Sequence, residues 1–149
     1  MNNLENNPRL LAAAQSVLRL AIGFLFAAHG WQKFSQFTID GTTASFAQMG
    51  VPGASFIAPV VATLELVGGI ALILGVATRI FGALLALDMA GAIVLAHAQN
   101  GVFVANGGFE LVLALGAGAL ALALMGPGRW AVDHLIFGRK RAKRAAVSA

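Results

Sequence analysis

Residues 55–98 read SFIAPVVATLELVGGIALILGVATRIFGALLALDMAGAIVLAHA, and this stretch decides the fold. It contains two apolar runs, at about 55–76 and 80–98, separated by Thr78 and Arg79. At 1.5 Å per residue, about 20 helical residues cross a hydrocarbon core about 30 Å thick. The stretch therefore predicts two antiparallel transmembrane helices joined by a tight turn.

A further apolar run lies on each side of this pair. Residues 10–31 predict a retained transmembrane helix, because the run is too long for a signal-peptide core and no convincing cleavage site follows it. Residues 109–125 predict a fourth, shorter span that ends at Gly126-Pro127-Gly128. The fold class predicted is an all-α, four-helix transmembrane bundle.

Two short segments between or after the spans are too polar to cross. Thr43–Met49 predicts one or two helical turns lying on the membrane, with Phe46 and Met49 directed toward lipid. Residues 129–137 predict a second interfacial segment, because Trp130 and its apolar neighbours suit the headgroup boundary.

The composition excludes other classes of protein. Of the 149 residues, 58% are hydrophobic and 11% are charged, whereas a soluble domain has about 25% charged residues. Low charge with high hydrophobicity also excludes an intrinsically disordered chain. The sequence has no cysteine, which excludes disulfides, thiolate nucleophiles and iron–sulfur clusters held by its own residues. We expect residues 1–149 to form one membrane domain surrounded by lipid.

The positive charges indicate how the chain is oriented. Eight of the ten Lys and Arg residues lie near the N-terminus, at the turn containing Arg79, or after the fourth span. The positive-inside rule then places both termini in the cytoplasm, with residues 138–149 as a basic cytoplasmic tail. That tail is typical of an orienting or lipid-facing segment, so no nucleic-acid partner is expected.

Three charged residues lie inside the predicted spans, where an unpaired charge costs about 2.5 kcal/mol or more. Arg19, Glu65 and Asp88 lie at similar depths, within roughly one helical turn of one another. We expect Arg19 to pair with one or both carboxylates in the bundle core. The group is then either an ionic clasp that fixes helix register or a site where one carboxyl, with Glu65 the catalytic candidate, exchanges a proton.

A second polar set is predicted at the opposite, extracytoplasmic end. His29 and Lys33 are neighbours on one helix face, while His97 ends the third span and Glu110 begins the fourth. Gly107 and Gly108 leave space there for a ring to approach the backbone. The set predicts the mouth of a binding site, with His29 hydrogen-bonding a quinol or quinone; alternatively, these are interfacial side chains reaching water. Their spacing predicts no metal site.

An ordered set of polar residues and glycines resembles the DoxX family of small bacterial membrane proteins. The set consists of Leu18-Arg19, Gly23, His29-Gly30, Lys33, Gly50-Val51-Pro52, Glu65, Gly68-Gly69, Gly75, Thr78-Arg79, Gly126-Pro127-Gly128 and Asp133. The resemblance implies a four-helix bundle in the bacterial cytoplasmic membrane, associated with quinone-linked oxidoreductase assemblies. Related thiol-oxidising membrane enzymes use cysteine pairs, a mechanism that this chain does not have the residues for.

The residues and the resemblance together predict a redox-associated subunit that binds a quinone or another lipid-soluble carrier. The expected polar residues of the site, besides Glu65 and His29, are Arg19, Lys33, Asp88, His97 and Glu110. Because no electron carrier is visible, a protein partner would have to supply electrons. The alternatives are a non-catalytic anchor or assembly factor, and a small transporter or proton pathway that would need to form a homo-oligomer.

Overall fold

The computed structural model describes residues 7–136, and within that range the chain is helical and has no strand. The elements are α1 (Pro8–Ser35), α2 (Thr38–Gln48), α3 (Ala54–Leu74), α4 (Thr78–Ala92) and α5 (Glu110–Met125). A π-helical turn (Ile93–His97) and a 3₁₀ turn (Ala98–Asn100) continue α4, and a second 3₁₀ turn (Val104–Asn106) precedes α5. The all-α prediction is confirmed; Phe137 and the predicted tail lie outside the described residues.

Three helices are long and apolar enough to cross a membrane. They are α1, α3 and α4 with its continuation to Asn100. Many large apolar side chains point away from the bundle, such as Phe24 and Val94, which are 63% and 72% exposed. Lipid is the solvent that such a surface suits. The helix α5 has 16 residues, about 24 Å, and its crossing of the membrane remains a prediction.

The helices approach one another closely where glycines face each other. A Cβ at Gly23 would lie 2.7 Å from the carbonyl oxygen of Gly69, so α1 and α3 cross backbone to backbone. Gly82 plays the same part between α4 and α5, since its Cβ would lie 2.8 Å from the Ala119 carbonyl oxygen. Small residues permit this close approach, which drives helix association in lipid. The contacts α1–α3, α3–α4, α4–α5 and α5–α1 close the ring of four helices.

The first helix is longer than the apolar run that predicts it. The Asn7 side chain accepts hydrogen bonds from the backbone N–H groups of Arg9 (3.0 Å) and Leu10 (3.4 Å), and Pro8 occupies the first helical position. At the other end the helix continues four residues past Trp31 to Ser35. Lys33 therefore extends from the same rigid element as His29.

The segment that follows α5 folds back onto the bundle end that holds the N-terminus of α1. Gly126 ends α5 with a positive φ of 85°, and residues 132–136 form a short helical turn. The backbone N–H of Asp133 donates to the Gly75 carbonyl oxygen at 3.1 Å, and its Oδ2 accepts from the Thr78 N–H at 3.4 Å. We call residues 126–136 the C-terminal segment.

Candidate functional site

A cavity of about 440 Å³ lies within the bundle at the end where α3 and α5 begin. All five α-helices contribute to its walls, which are mainly apolar and include Phe26, Phe46, Ile57, Met89, Leu111 and Leu115. This size and an apolar lining with a few polar groups are typical of small-molecule sites.

An ion pair forms the polar part of the cavity wall. Lys33 Nζ on α1 donates to Glu65 Oε2 on α3. The Glu65 side chain is 5% exposed and the Lys33 side chain 17%, so the pair is largely shielded from solvent. Thr42 on α2 also lies against this part of α1: its buried hydroxyl donates to the Thr38 carbonyl oxygen at 2.9 Å and lies 3.3 Å from the Lys33 carbonyl oxygen. The pair therefore joins α1 to α3 beside the cavity.

Asp88 on α4 provides the second carboxyl group of this wall, and it takes no part in the ion pair. Its Oδ2 is buried and has no hydrogen-bond partner among residues 7–136, although Asp88 lies within electrostatic range of Lys33 and Glu65. A buried polar atom without a partner costs about 1–3 kcal/mol. Gly91 follows one helical turn later on the cavity wall, and a Cβ there would meet nothing within 4 Å. Open space thus borders the side chain of Asp88.

His29 and His97 both line the cavity. His29 is half-buried on α1, one turn before Lys33. His97 ends the π-helical turn, and its Nδ1 lies 2.7 Å from the Gly107 carbonyl oxygen. A carbonyl oxygen only accepts, so Nδ1 donates and Nε2 of the neutral ring is an acceptor. Single π-helical turns are frequent at functional sites.

Glu110 stabilises a loop and is not part of the cavity lining. Its Oε1 accepts from the backbone N–H of Val104 at 2.6 Å, and its own N–H donates to the Val102 carbonyl oxygen at 2.9 Å. Gly107 and Gly108 do line the cavity. Among the residues that the structure describes, no three His, Asp or Glu side chains come together as metal ligands.

The expected pairing of Arg19 with Glu65 or Asp88 is wrong. Arg19 is 4% exposed, and its guanidinium donates to the carbonyl oxygens of Pro127 (Nη1, 2.5 Å) and Trp130 (Nη2, 2.9 Å). Its partners therefore belong to the C-terminal segment, and Arg19 lies outside the cavity.

Helix register explains the difference. A Cβ at Gly75, which ends α3, would lie 2.9 Å from Arg19 Nη1, whereas Gly30 packs against the backbone of Leu66. The 28-residue α1 thus extends well past the end of the 21-residue α3. The depth count assumed that both helices start in one plane, and it therefore placed Arg19 too close to Glu65.

The position of α2 corrects a second expectation. Phe46 and Met49 line the cavity, although the sequence predicted that they face lipid. The helix Thr38–Gln48 is longer than predicted and packs against both α1 and α3. Its short amphipathic pattern is equally compatible with an apolar face against lipid or against protein. Only the tertiary contacts decide which of the two this face packs against.

Gly91 is a site residue that the sequence reasoning treated as helix packing. Unlike Gly23, Gly69 and Gly82, it has no backbone or side chain against it. Its place one turn after Asp88, on the same helix face, is the signal that could have identified it.

Comparison with known proteins gives the family. The DoxX family profile matches residues 14–98. The chain belongs to the DoxX family.

Several curated relatives cover most of the chain. A Bacillus subtilis protein named "Putative oxidoreductase CatD" is 38% identical over 84% of this chain and 88% of its own. An uncharacterized membrane protein of Mycobacterium tuberculosis is 34% identical over 94% and 91%. The inner membrane protein YqjF of Escherichia coli is 35% identical over 80% and 89%. No solved structure matches this DoxX-family chain.

Apart from helix-packing glycines such as Gly23 and Gly69, most of the residues that carry the family resemblance form two groups in the structure. One group lies at the end where α1 begins and makes structural contacts: Arg19, Gly75, Thr78, Arg79, Gly126 and Asp133. His29, Lys33 and Glu65 lie at the cavity. The second group is therefore the candidate functional site of this family member.

Proposed function

We propose that this DoxX-family protein is a redox-associated subunit that binds a quinone or a similar lipid-soluble aromatic carrier in the cavity. The observation that carries the proposal is the meeting of apolar walls, the Lys33–Glu65 ion pair and the unpartnered carboxyl of Asp88 in one space inside a membrane bundle. A carrier with an apolar ring and polar oxygens matches both kinds of surface.

The proposed chemistry needs a partner for electrons. Reducing a quinone to a quinol takes two electrons and two protons, and the sequence has no cysteine to serve as a redox group. We assign the electrons to a partner oxidoreductase and the protons to carboxyl and imidazole groups of the cavity. The printed name "Putative oxidoreductase CatD" supports a redox role, and the name "Inner membrane protein YqjF" supports the bacterial inner membrane.

His29 and the ion pair have separate parts in this proposal. His29 is half-buried at the cavity and hydrogen-bonds the carrier or exchanges a proton with it. Lys33 and Glu65 hold α1 and α3 at the distance that forms the polar wall. Arg19 and Glu110 have no direct part, because neither side chain lines the cavity and both are engaged by backbone groups.

Mass spectrometry of lipid extracts tests the proposal. Protein purified in mild detergent is extracted with organic solvent, and the quinone content per chain is compared with that of Gly91→Phe, which fills the cavity. The matched control is Ala90→Phe, which places the same ring on an exposed position of α4.

We expect a near-stoichiometric amount of quinone and quinol together in the wild type and the control, and its loss in Gly91→Phe. A quinone content that is equal in all three proteins contradicts the proposal. Proton uptake into proteoliposomes without a bound carrier would favour the proton-pathway function instead.

A further inference from the structure

The Asp88 carboxyl group indicates which form of the carrier the cavity selects, because its Oδ2 has no hydrogen-bond partner among residues 7–136. The inference rests on the proposed function. The other carboxyl of the polar wall, Glu65, is engaged by the Lys33 ammonium, whereas Asp88 Oδ2 is buried without a hydrogen bond. Asp88 lines the cavity and Gly91 leaves open space one helical turn later, so a ring can approach this carboxyl group. Asp88 is therefore the carboxyl of this wall that is free to contact a ligand.

A carboxyl group distinguishes hydroxyl from carbonyl ligands. A carboxylate only accepts hydrogen bonds, and a carboxylic acid both donates and accepts. A ligand hydroxyl, which also does both, satisfies Asp88 in either protonation state. A quinone carbonyl only accepts, so it satisfies Asp88 only when the carboxyl is protonated and leaves a buried anion unpaired otherwise.

The other polar groups of the wall do not reverse this preference. The Lys33 ammonium has three N–H groups, one of which donates to Glu65; the others can donate to a carbonyl oxygen or to a hydroxyl oxygen, so they serve either form of the carrier. The Nδ1–H of His97 is directed to the Gly107 carbonyl oxygen. A neutral His29 presents one donor and one acceptor, which serves either form of a carrier.

We infer that the cavity preferentially binds the reduced, hydroxyl-bearing form of its aromatic carrier, and that a carrier hydroxyl donates to the Asp88 carboxyl. When the Asp88 carboxyl is ionised, a carrier that cannot donate leaves its buried oxygen without a hydrogen bond, which weakens binding by about tenfold or more. The bundle would thus hold the quinol form and release the quinone form more readily.

Equilibrium binding of two probes tests the inference. Decylubiquinol and decylubiquinone are titrated anaerobically, by calorimetry, into the full chain in lipid nanodiscs. The proteins are the wild type, Asp88→Leu and Gly91→Phe, with Asp40→Asn as the control because Asp40 is exposed on α2. Thermal melting of each variant checks that it is folded.

We expect the wild type and Asp40→Asn to bind the quinol about tenfold more tightly than the quinone, and Asp88→Leu to bind both about equally. Equal wild-type affinities for the two forms, or a preference that survives in Asp88→Leu, would overturn the inference. If both forms bind equally and both are lost in Gly91→Phe, the proposed function stands without it. If neither form saturates the wild type, both proposals fail.

Discussion

Lys33 and Glu65 set the electrostatics of the cavity at the scale of single residues. Their opposite charges lie in contact between α1 and α3, which offsets part of the cost of burying the Glu65 carboxylate. Asp88 is the remaining carboxyl, and its burial without a partner is a local cost in the protein. A polar group that is costly to bury and serves no fold contact is typical of a functional site.

Removing either partner of the ion pair is predicted to destabilise the bundle more than removing both. In Lys33→Met the Glu65 carboxylate stays buried and unpaired, so the free energy of unfolding falls by about 2–4 kcal/mol. Lys33→Met combined with Glu65→Gln removes both charges and regains most of that loss. Melting temperatures in detergent for the two single variants and the double variant measure the coupling. Strictly additive losses would show that the two charges do not interact.

The residue types of the site were predictable, but their pairing was not. His29, Lys33, Glu65 and Asp88 attract notice because ionisable groups are costly in lipid, and all four lie at the cavity. The choice of Lys33 over Arg19 as the partner of Glu65 depends on the offset between α1 and α3. The contact of Gly23 with Gly69 sets that offset. Counting residues from the helix ends cannot reveal such a contact.

Helices and connecting segments differ in how far the sequence determines them. The spans were predictable because a helix surrounded by lipid and other helices is apolar on every side. The π-helical turn at Ile93–His97 and the placement of α2 were not, since both depend on contacts made after the helices assemble. The C-terminal segment folds onto Gly75 and Thr78 through single hydrogen bonds that leave no periodic pattern.

Among the connecting segments, the C-terminal segment is predicted to depend on Arg19 for its position on the bundle. Arg19 is predicted to have no effect on carrier binding in the cavity. Arg19→Met removes the hydrogen bonds to the Pro127 and Trp130 carbonyl oxygens, each worth about 1.5–3 kcal/mol because the donor is charged. Amide hydrogen exchange should become faster in residues 126–136, while carrier binding stays at the wild-type level. Loss of carrier binding with unchanged exchange would place Arg19 in the functional site.

The whole molecule has two ends of different character. The end that holds residues 7 and 136 is stabilised by hydrogen bonds of Arg19, Arg79 and Asp133. The other end holds the cavity. The distribution of positive charge predicts that the first end faces the cytoplasm. The cavity would then open toward the extracytoplasmic half of the membrane.

Single cysteines test this orientation cleanly, because the natural sequence contains none. Val102→Cys lies in the loop at the cavity end, and Arg129→Cys lies at the opposite end; both positions are exposed. A membrane-impermeant maleimide applied to spheroplasts should label Val102→Cys at once, and Arg129→Cys only after the membrane is permeabilised. The reverse pattern would invert the topology.

The central claim, that the cavity binds an aromatic carrier, is tested most directly by photolabelling with an azidoquinone probe followed by peptide mapping. The account predicts that labels fall on cavity-lining stretches, at residues 88–97 and 111–115, that unlabelled quinol competes, and that Gly91→Phe abolishes these labels. Labels confined to lipid-facing residues such as Phe24 and Leu124, or labelling unchanged in Gly91→Phe, would contradict it.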